Sequence, residues 1–304
     1  MIASSTYSRA GINDVMAITP KKAFDIINAS PNRNVVLNGD FDIWQRGASF
    51  STPTSNAYNA DRWLTTYNGA GSTFTISKQA FALGQIDVPN EPESYLRYDV
   101  TAAGSSETYR QLRNIMESVR SFAGKKITLS LWIKASAGIT LANVRLLQYF
   151  GTGGTPSSAV YTTFGSSIAV TTTWTRLSAT ITVPSISGKT IGSNSNDYIA
   201  LAVGLPVNSA FQLDIAQFQL ELGEVATTFA KRTLAAELDL CQRYYIDFAG
   251  RTINGDFWVS WPKQMRSAPT LTATVGTAAN ATVNGCTVNH SAASATTITA
   301  SAEM

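Results

Sequence analysis

Between residues 34 and 230 apolar and polar positions alternate in short runs bounded by Gly, Pro or Asn. In Ile127–Ile133, the side chains of Ile127, Leu129, Leu131 and Ile133 share one face, with Thr128, Ser130 and Trp132 on the other. This two-residue period predicts a strand with one face buried. Residues 174–183 continue the pattern and stop at Pro184, and 198–203, 211–215 and 218–222 are further β-rich runs. Turn clusters such as 151–156 and 192–197 separate them. Many short strands without a βαβ rhythm predict an all-β protein, an antiparallel jelly-roll sandwich.

Two segments predict helices. Thr19 and Pro20 supply a cap and a first helical residue, and Pro31 closes that short amphipathic segment. Thr233 caps a second helix, with Leu234, Leu238, Cys241 and Tyr245 as its apolar stripe and Asp239–Arg243 as an i,i+4 pair. A third stretch, Tyr109 to Phe122, has apolar residues near a helical period. Beyond the second helix, 257–261 and 270–275 read as strands, and 276–304 is nearly all Ala, Thr, Ser and Asn, with Glu303 its one charge.

Composition narrows the function classes. Charged residues make up 14% of the 304 and hydrophobic ones 44%, which excludes disorder driven by charge. A net charge of +3 without a like-charge run argues against a nucleic-acid surface. No run of 18 apolar residues is present, so no membrane insertion is expected, and the first nine residues lack a secretory pattern. Cys241 and Cys286 lie 45 residues apart with His290 the single histidine, so zinc chemistry is excluded and both thiols are expected to be buried. A catalytic triad would need His290. The acidic pairs Asp40/Asp42, Glu91/Glu93 and Glu221/Glu224 lie close in sequence as a matter of spacing alone, so the chain is read as a non-enzyme.

The motif Asn34-Val-Val-Leu-Asn-Gly-Asp-Phe-Asp-Ile-Trp-Gln-Arg-Gly47, followed by Tyr58-Asn-Ala-Asp-Arg-Trp63, resembles the opening of a domain found in bacteriophage tail-fibre and related virion proteins. Residues 217–229 and 237–245 are similar to the strings that close that domain, and Met265-Arg-Ser-Ala-Pro269 to a motif downstream of it. The leader Gly11–Pro20 looks like a joint segment placed ahead of distal fibre modules. The resemblance implies a jelly roll like that of carbohydrate-binding modules, and it implies a strand, against the periodicity, for 109–116. Related sugar-binding jelly rolls often hold a structural calcium. Asp40 and Asp42, expected in the first strand, are weak candidates for it, but the matching last-strand position is Gln217, a poorer ligand, so no cofactor is expected.

The organisation expected is a virion-attachment segment over 1–33, a jelly-roll domain over 34–230, a linker helix over 231–245 and a C-terminal β oligomerisation or tip domain over 246–304. Trp44, Trp63, Trp132 and Trp174 fall in framework motifs and are expected in the core. Tyr149, Phe150, Tyr161 and Phe164 flank the Gly/Thr/Ser loop 151–158 and are the candidate glycan-binding rim. Asp61 and Arg62 read as a structural pair, and Arg46 as a hydrogen-bonding hub. The small side chains of 276–304 are expected to need a symmetric partner, with Trp258, Trp261 and His290 at that interface. The function implied is that of a virion fibre protein, assembled in the host cytoplasm as a homo-oligomer, a trimer. It would join other phage structural proteins through 1–33 and adhere to a host surface polysaccharide. The alternative is a purely structural head, neck or baseplate fibre or decoration without a ligand.

Overall fold

The computed structural model describes residues 33–253, 257–274, 276–289 and 294–304. The leader helix and His290 lie outside the described residues. Twelve strands form two six-stranded antiparallel sheets. The first runs in the order β1 (Ser49–Ser51), β4 (Thr73–Ala80), β5 (Ser94–Ala102), β12 (Phe211–Leu222), β7 (Lys126–Ala135), β10 (Thr175–Thr182). The second runs β2 (Ala57–Tyr58), β3 (Trp63–Tyr67), β6 (Arg110–Glu117), β11 (Tyr198–Gly204), β8 (Ile139–Tyr149), β9 (Val160–Val170). The chain is an antiparallel jelly-roll sandwich. Its core lies between the sheets, where Ile127, Leu129, Leu131 and Ile133 meet Leu112, Leu146, Leu201 and Val203.

Within 109–122 the strand expectation for 109–116 holds, as β6 over Arg110–Glu117, and a turn follows it. In β6 the odd residues Gln111, Arg113 and Ile115 point away from the sandwich, while Leu112 enters the core and Asn114 is buried beneath it. Pairing with β3 and β11 on both sides outweighs the helical spacing. The opening motif, expected to contain the first strand, is instead a buried turn. Asn38, at φ 53°, donates through Nδ2 to the carbonyls of Ile43 and Asp61 and accepts from the Ile43 amide. Asn34 spans to β12, donating to Phe218 O and accepting from Leu220 N. Gly39 lies so close that a Cβ would sit 2.1 Å from Phe218 O. Side-chain hydrogen bonds thus replace the ladder an edge strand would have made.

Helix α1 (Leu234–Gln242) starts at Thr233, whose side chain accepts from the Ala236 amide. Its expected apolar stripe is not buried as one face: Cys241 is fully buried but Leu234 is exposed. Asp239 pairs with Lys263 at 2.8 Å, and Arg243 with Glu117 at 3.1 Å, so the i,i+4 pair does not form. Each charge finds a partner across the tertiary structure instead.

Six strands follow: β13 (Tyr245–Ile253), β14 (Phe257–Ser260), β15 (Thr270–Ala273), β16 (Thr277–Thr282), β17 (Gly285–Asn289) and β18 (Ser294–Ser301). They form two three-stranded sheets, β13-β18-β15 and β14-β17-β16. The expectation that this zone cannot fill a core within one chain is overturned. Ile246, Val259, Trp261, Met265, Cys286, Val288 and Ile298 form a core, and the small Ala300 and Ala302 close it. Trp261 is therefore an interior residue of its own chain, its Nε1 donating to Thr282 O at 3.0 Å, rather than an interface side chain. Trp258 is half exposed on β14, an edge strand.

The end of β18 docks on the jelly roll. Glu303 forms ion pairs with Arg62 and, at 3.1 Å, with Arg46. Arg46 also holds Asp61 at 3.2 Å and stacks 3.6 Å above the Tyr245 ring, as a hub was expected to do. Arg62 is fully buried, sits at φ 68°, lies 3.4 Å above the Tyr244 ring and donates to Ile115 O. Its ionic partner is Glu303, not its neighbour Asp61. Removing one member of a buried ion pair strands the other charge, at about 3–5 kcal/mol. Glu303→Ala is expected to lower unfolding free energy by about that amount in urea titration. Glu224→Ala, which breaks the solvent-exposed pair with Lys126, should cost under about 1 kcal/mol. Equal effects of the two changes would contradict this reading.

Candidate functional site

The outer face of the second sheet carries an unusual set of side chains. Its central strand, β11, presents only Tyr198, Ala200, Ala202 and Gly204 there. The register lays out successive rows. Gln111, Gly204 and Asn143 form one, Arg113, Ala202 and Arg145 the next, and Ile115, Ala200, Leu147 and Tyr161 the third. The last row is Glu117, Tyr198 and Tyr149. Small residues in the middle let long side chains from both flanks lean inward, and Ala202 is buried between the two arginines.

The tyrosines frame this floor. Tyr149 and Tyr198 lie with ring centroids 4.7 Å apart. Tyr161 is 52% exposed and receives the Arg145 guanidinium 4.4 Å above its ring. Leu64, Ile115, Leu147 and Ala200 form a small apolar cluster at the tyrosine end, against which Tyr58 and Met304 pack. One side of the platform is thus built by the C-terminal segment, through Tyr58 Oη donating to Met304 O at 3.1 Å.

Of the four rim residues expected from sequence, Tyr149 and Tyr161 come together on this face. Phe150 does not: it follows β8, points inward and is 1% exposed, so its ring cannot stack on a ligand. Phe164 is partly buried against the main core. Arg113, Arg145 and Tyr198 are the members that sequence reasoning missed. Strand alternation puts Arg113 and Arg145 on outward positions, but only the order β6-β11-β8 shows that they flank one alanine.

The first sheet offers a contrasting surface. Among the framework tryptophans, Trp63 is fully in the core and Trp44 packs partly against it. Trp132 and Trp174 are outward-facing and partly exposed, so their expected core placement does not hold. Trp174 joins Phe81 and Tyr95 at centroid distances of 5.4 and 5.5 Å. Arg97 beside them pairs with Asp214 at 2.8 Å, and Lys134 with the same carboxylate at 3.7 Å. Farther along, Gln217, at φ 46° in the β12 bulge, donates to Pro89 O. Glu221 accepts from Thr227 N and Oγ1. The segment after β12 covers this end, and its polar groups answer one another.

Asp40 and Asp42, the calcium candidates, close around the Lys231 ammonium, 3.2 Å from each, with Glu93 at 3.6 Å. A side-chain cation supplies the charge between them. Burial, reinforced by Asp42, raises the Asp40 pKa to about 7 even with Lys231 opposing. Burial also raises Asp61, to about 6, against the hydrogen bonds from Gln45 and the charge of Arg46.

No protein-family model matches the chain, and neither does any curated protein. Solved structures similar to it include a CBM4 module, at 15% identity and a TM-score of 0.36 over 62% of this chain and 99% of that one. The enzymatically active domain of tailspike protein 4 from bacteriophage CBA120 is similar at 13% identity and a TM-score of 0.39, over 64% of this chain and 22% of that one. The CBM22-1 xylan-binding domain of Xyn10C from Paenibacillus barcinonensis is similar at 16% identity and a TM-score of 0.34, over 59% and 94%. At these values no residue role passes from any of them to this chain.

The raised Asp40 pKa has a definite sign. The unfolded chain ionises this carboxyl near pH 4 and the folded one only near 7, so the native state is progressively disfavoured as pH rises through that window. Asp40→Asn removes the term. The stability of the variant relative to the parent should rise from pH 4 to 7 and level off above it, as read from urea midpoints. Parallel curves would refute the assignment.

Proposed function

We propose that this chain is a non-catalytic, glycan-binding fibre protein of a bacteriophage virion. The observation that carries the glycan reading is the outer face of the second sheet. There Tyr149, Tyr161 and Tyr198 present rings beside two arginines on a rigid β floor. Aromatic rings cover the apolar face of a sugar, while guanidinium and amide groups take its oxygens. Support for the fibre reading comes from the motifs that carry the resemblance. Asn34 in the opening string bonds to Phe218 and Leu220 in the closing one, and Gln45 donates to Tyr245 O at 2.9 Å. The two strings that carry the resemblance thus share a physical junction, which supports reading them as one unit.

Absence of catalysis belongs to the same proposal. The candidate acid pairs are engaged elsewhere: Asp40, Asp42 and Glu93 with Lys231, Glu91 with the Gly84 amide, Glu221 with Thr227 and Arg33, Glu224 with Lys126. Self-association as a trimer would use the C-terminal zone, where edge strand β14 carries the half-exposed Trp258. Residues 1–33 would join the fibre to other virion proteins.

The test is an array of bacterial surface polysaccharides probed with the full chain. Binding to a subset is expected, with Tyr161→Ala weakening it about three- to tenfold, the worth of one aromatic contact. Binding to nothing at millimolar sugar would leave the structural role without a ligand as the better reading. Light scattering at micromolar concentration should give a trimer, and Trp258→Asp should shift it toward monomer. A monomeric parent chain would overturn the oligomer proposal.

A further inference from the structure

We infer that the platform on the second sheet selects acidic glycans, with Arg113 and Arg145 together holding the carboxylate of a uronate-type sugar. The inference rests on the glycan reading of this face and adds a substrate class to it. Both arginines point outward from strands that flank β11, so their Cα atoms are about 10 Å apart and the side chains can converge above Ala202. Among the described residues neither guanidinium has a carboxylate within ion-pair distance. Arg113 Nε donates to Gln111 Oε1 at 2.8 Å, and no acceptor meets its other nitrogens. Arg145 has no hydrogen-bond acceptor at all, and its Nε is buried without one. Asn143 Oδ1, one row away, is buried and likewise unmet.

Most of the other described arginines are matched to a carboxylate. Arg62 and Arg46 take Glu303, Arg97 takes Asp214, Arg110 takes Glu107, Arg232 takes Glu237 and Arg243 takes Glu117. Arg176 and Arg266, also without a carboxylate, donate to backbone carbonyls, those of Thr227 and Ala302, whereas Arg145 meets no acceptor and Arg113 meets only Gln111. Burial lowers the Arg113 pKa, Tyr198 and Tyr161 offset this only in part, and Arg145 adds repulsion. The chain thus holds two positive charges close together at a cost that the tyrosines relieve only in part.

A carboxylate fits the vacancy in charge. Each guanidinium offers paired N–H groups matched to two oxygens, and such charge-assisted bonds are the strong ones. The flanking Tyr161 and Tyr149 rings supply the apolar contact a pyranose ring needs. Tyrosine rings alone would take neutral and acidic sugars alike. The arginine pair is what makes the face discriminate.

The experiment compares polyuronates with their carboxyl-reduced, neutral counterparts and with sulfated neutral glycans, using the full chain and isothermal titration. The expected result is a preference of at least tenfold for the acid form, weakening with added salt. Arg113→Gln and Arg145→Gln should each cost about 10- to 100-fold on the acid form, the worth of one lost charge-assisted contact, and little on the reduced form. Thermal midpoints should be unchanged or raised, because each variant relieves repulsion, and a clear drop would assign the pair a structural role instead. Equal binding of acid and reduced forms, with Tyr161→Ala weakening both, would overturn the inference while leaving the glycan reading intact. Stronger binding of sulfate esters would overturn the carboxylate assignment. Binding to none of the three would remove the glycan reading and this inference with it.

Discussion

A single carboxylate, Glu303, ties the two halves of the structure together. It neutralises Arg62, which is buried beneath Tyr244 and Tyr58, and reaches Arg46, which continues to Asp61. Arg62 sits at a left-handed φ directly before Trp63, the largest side chain of the sandwich core. The charge that closes the C-terminal sheets is therefore the charge that the jelly-roll interior requires. A buried guanidinium without it would carry a desolvation cost that no nearby acceptor could offset.

The candidate site depends on that junction. Met304 follows Glu303 and packs on the apolar cluster beside Tyr149 and Tyr198. Docking of the C-terminal segment thus shapes one end of the platform, and the tyrosines stand at a corner between two modules. The paired motifs lie at the same corner, through Gln45 and Tyr245. Folding, module assembly and site formation share one set of contacts.

The two outer faces differ in how their charges are paired. On the first sheet, Asp214 satisfies both Arg97 and Lys134, and the segment after β12 covers Gln219 and Glu221. On the second sheet Arg113 and Arg145 have no carboxylate, and Arg145 Nε is buried without an acceptor. Unmet polar demand is costly in a half-buried setting, and this is the feature from which a ligand there is inferred.

Much of the fold was legible from local pattern. Alternation from Ile127 to Ile133, stops at Pro184 and Gly/Asn clusters, and the Thr233 cap each act over a few residues, and each appears where expected. The buried thiols of Cys241 and Cys286 follow from composition in the same way. What alternation cannot carry is which strand lies beside which. Arg113 and Arg145 are 32 positions apart in the chain and become neighbours only because β11 inserts between β6 and β8. The same limit misplaced Phe150, whose inward direction depends on where β8 ends, and paired Asp61 with Arg62 because they are adjacent. It also made the small side chains of 276–304 look unable to form a core, although two short sheets closing on Trp261 give them one. Local sequence sets which side of a strand a residue faces. Partners for charge, and the surfaces they leave unfilled, are decided by long-range pairing, because an ion pair or a platform is a property of strands that meet in space.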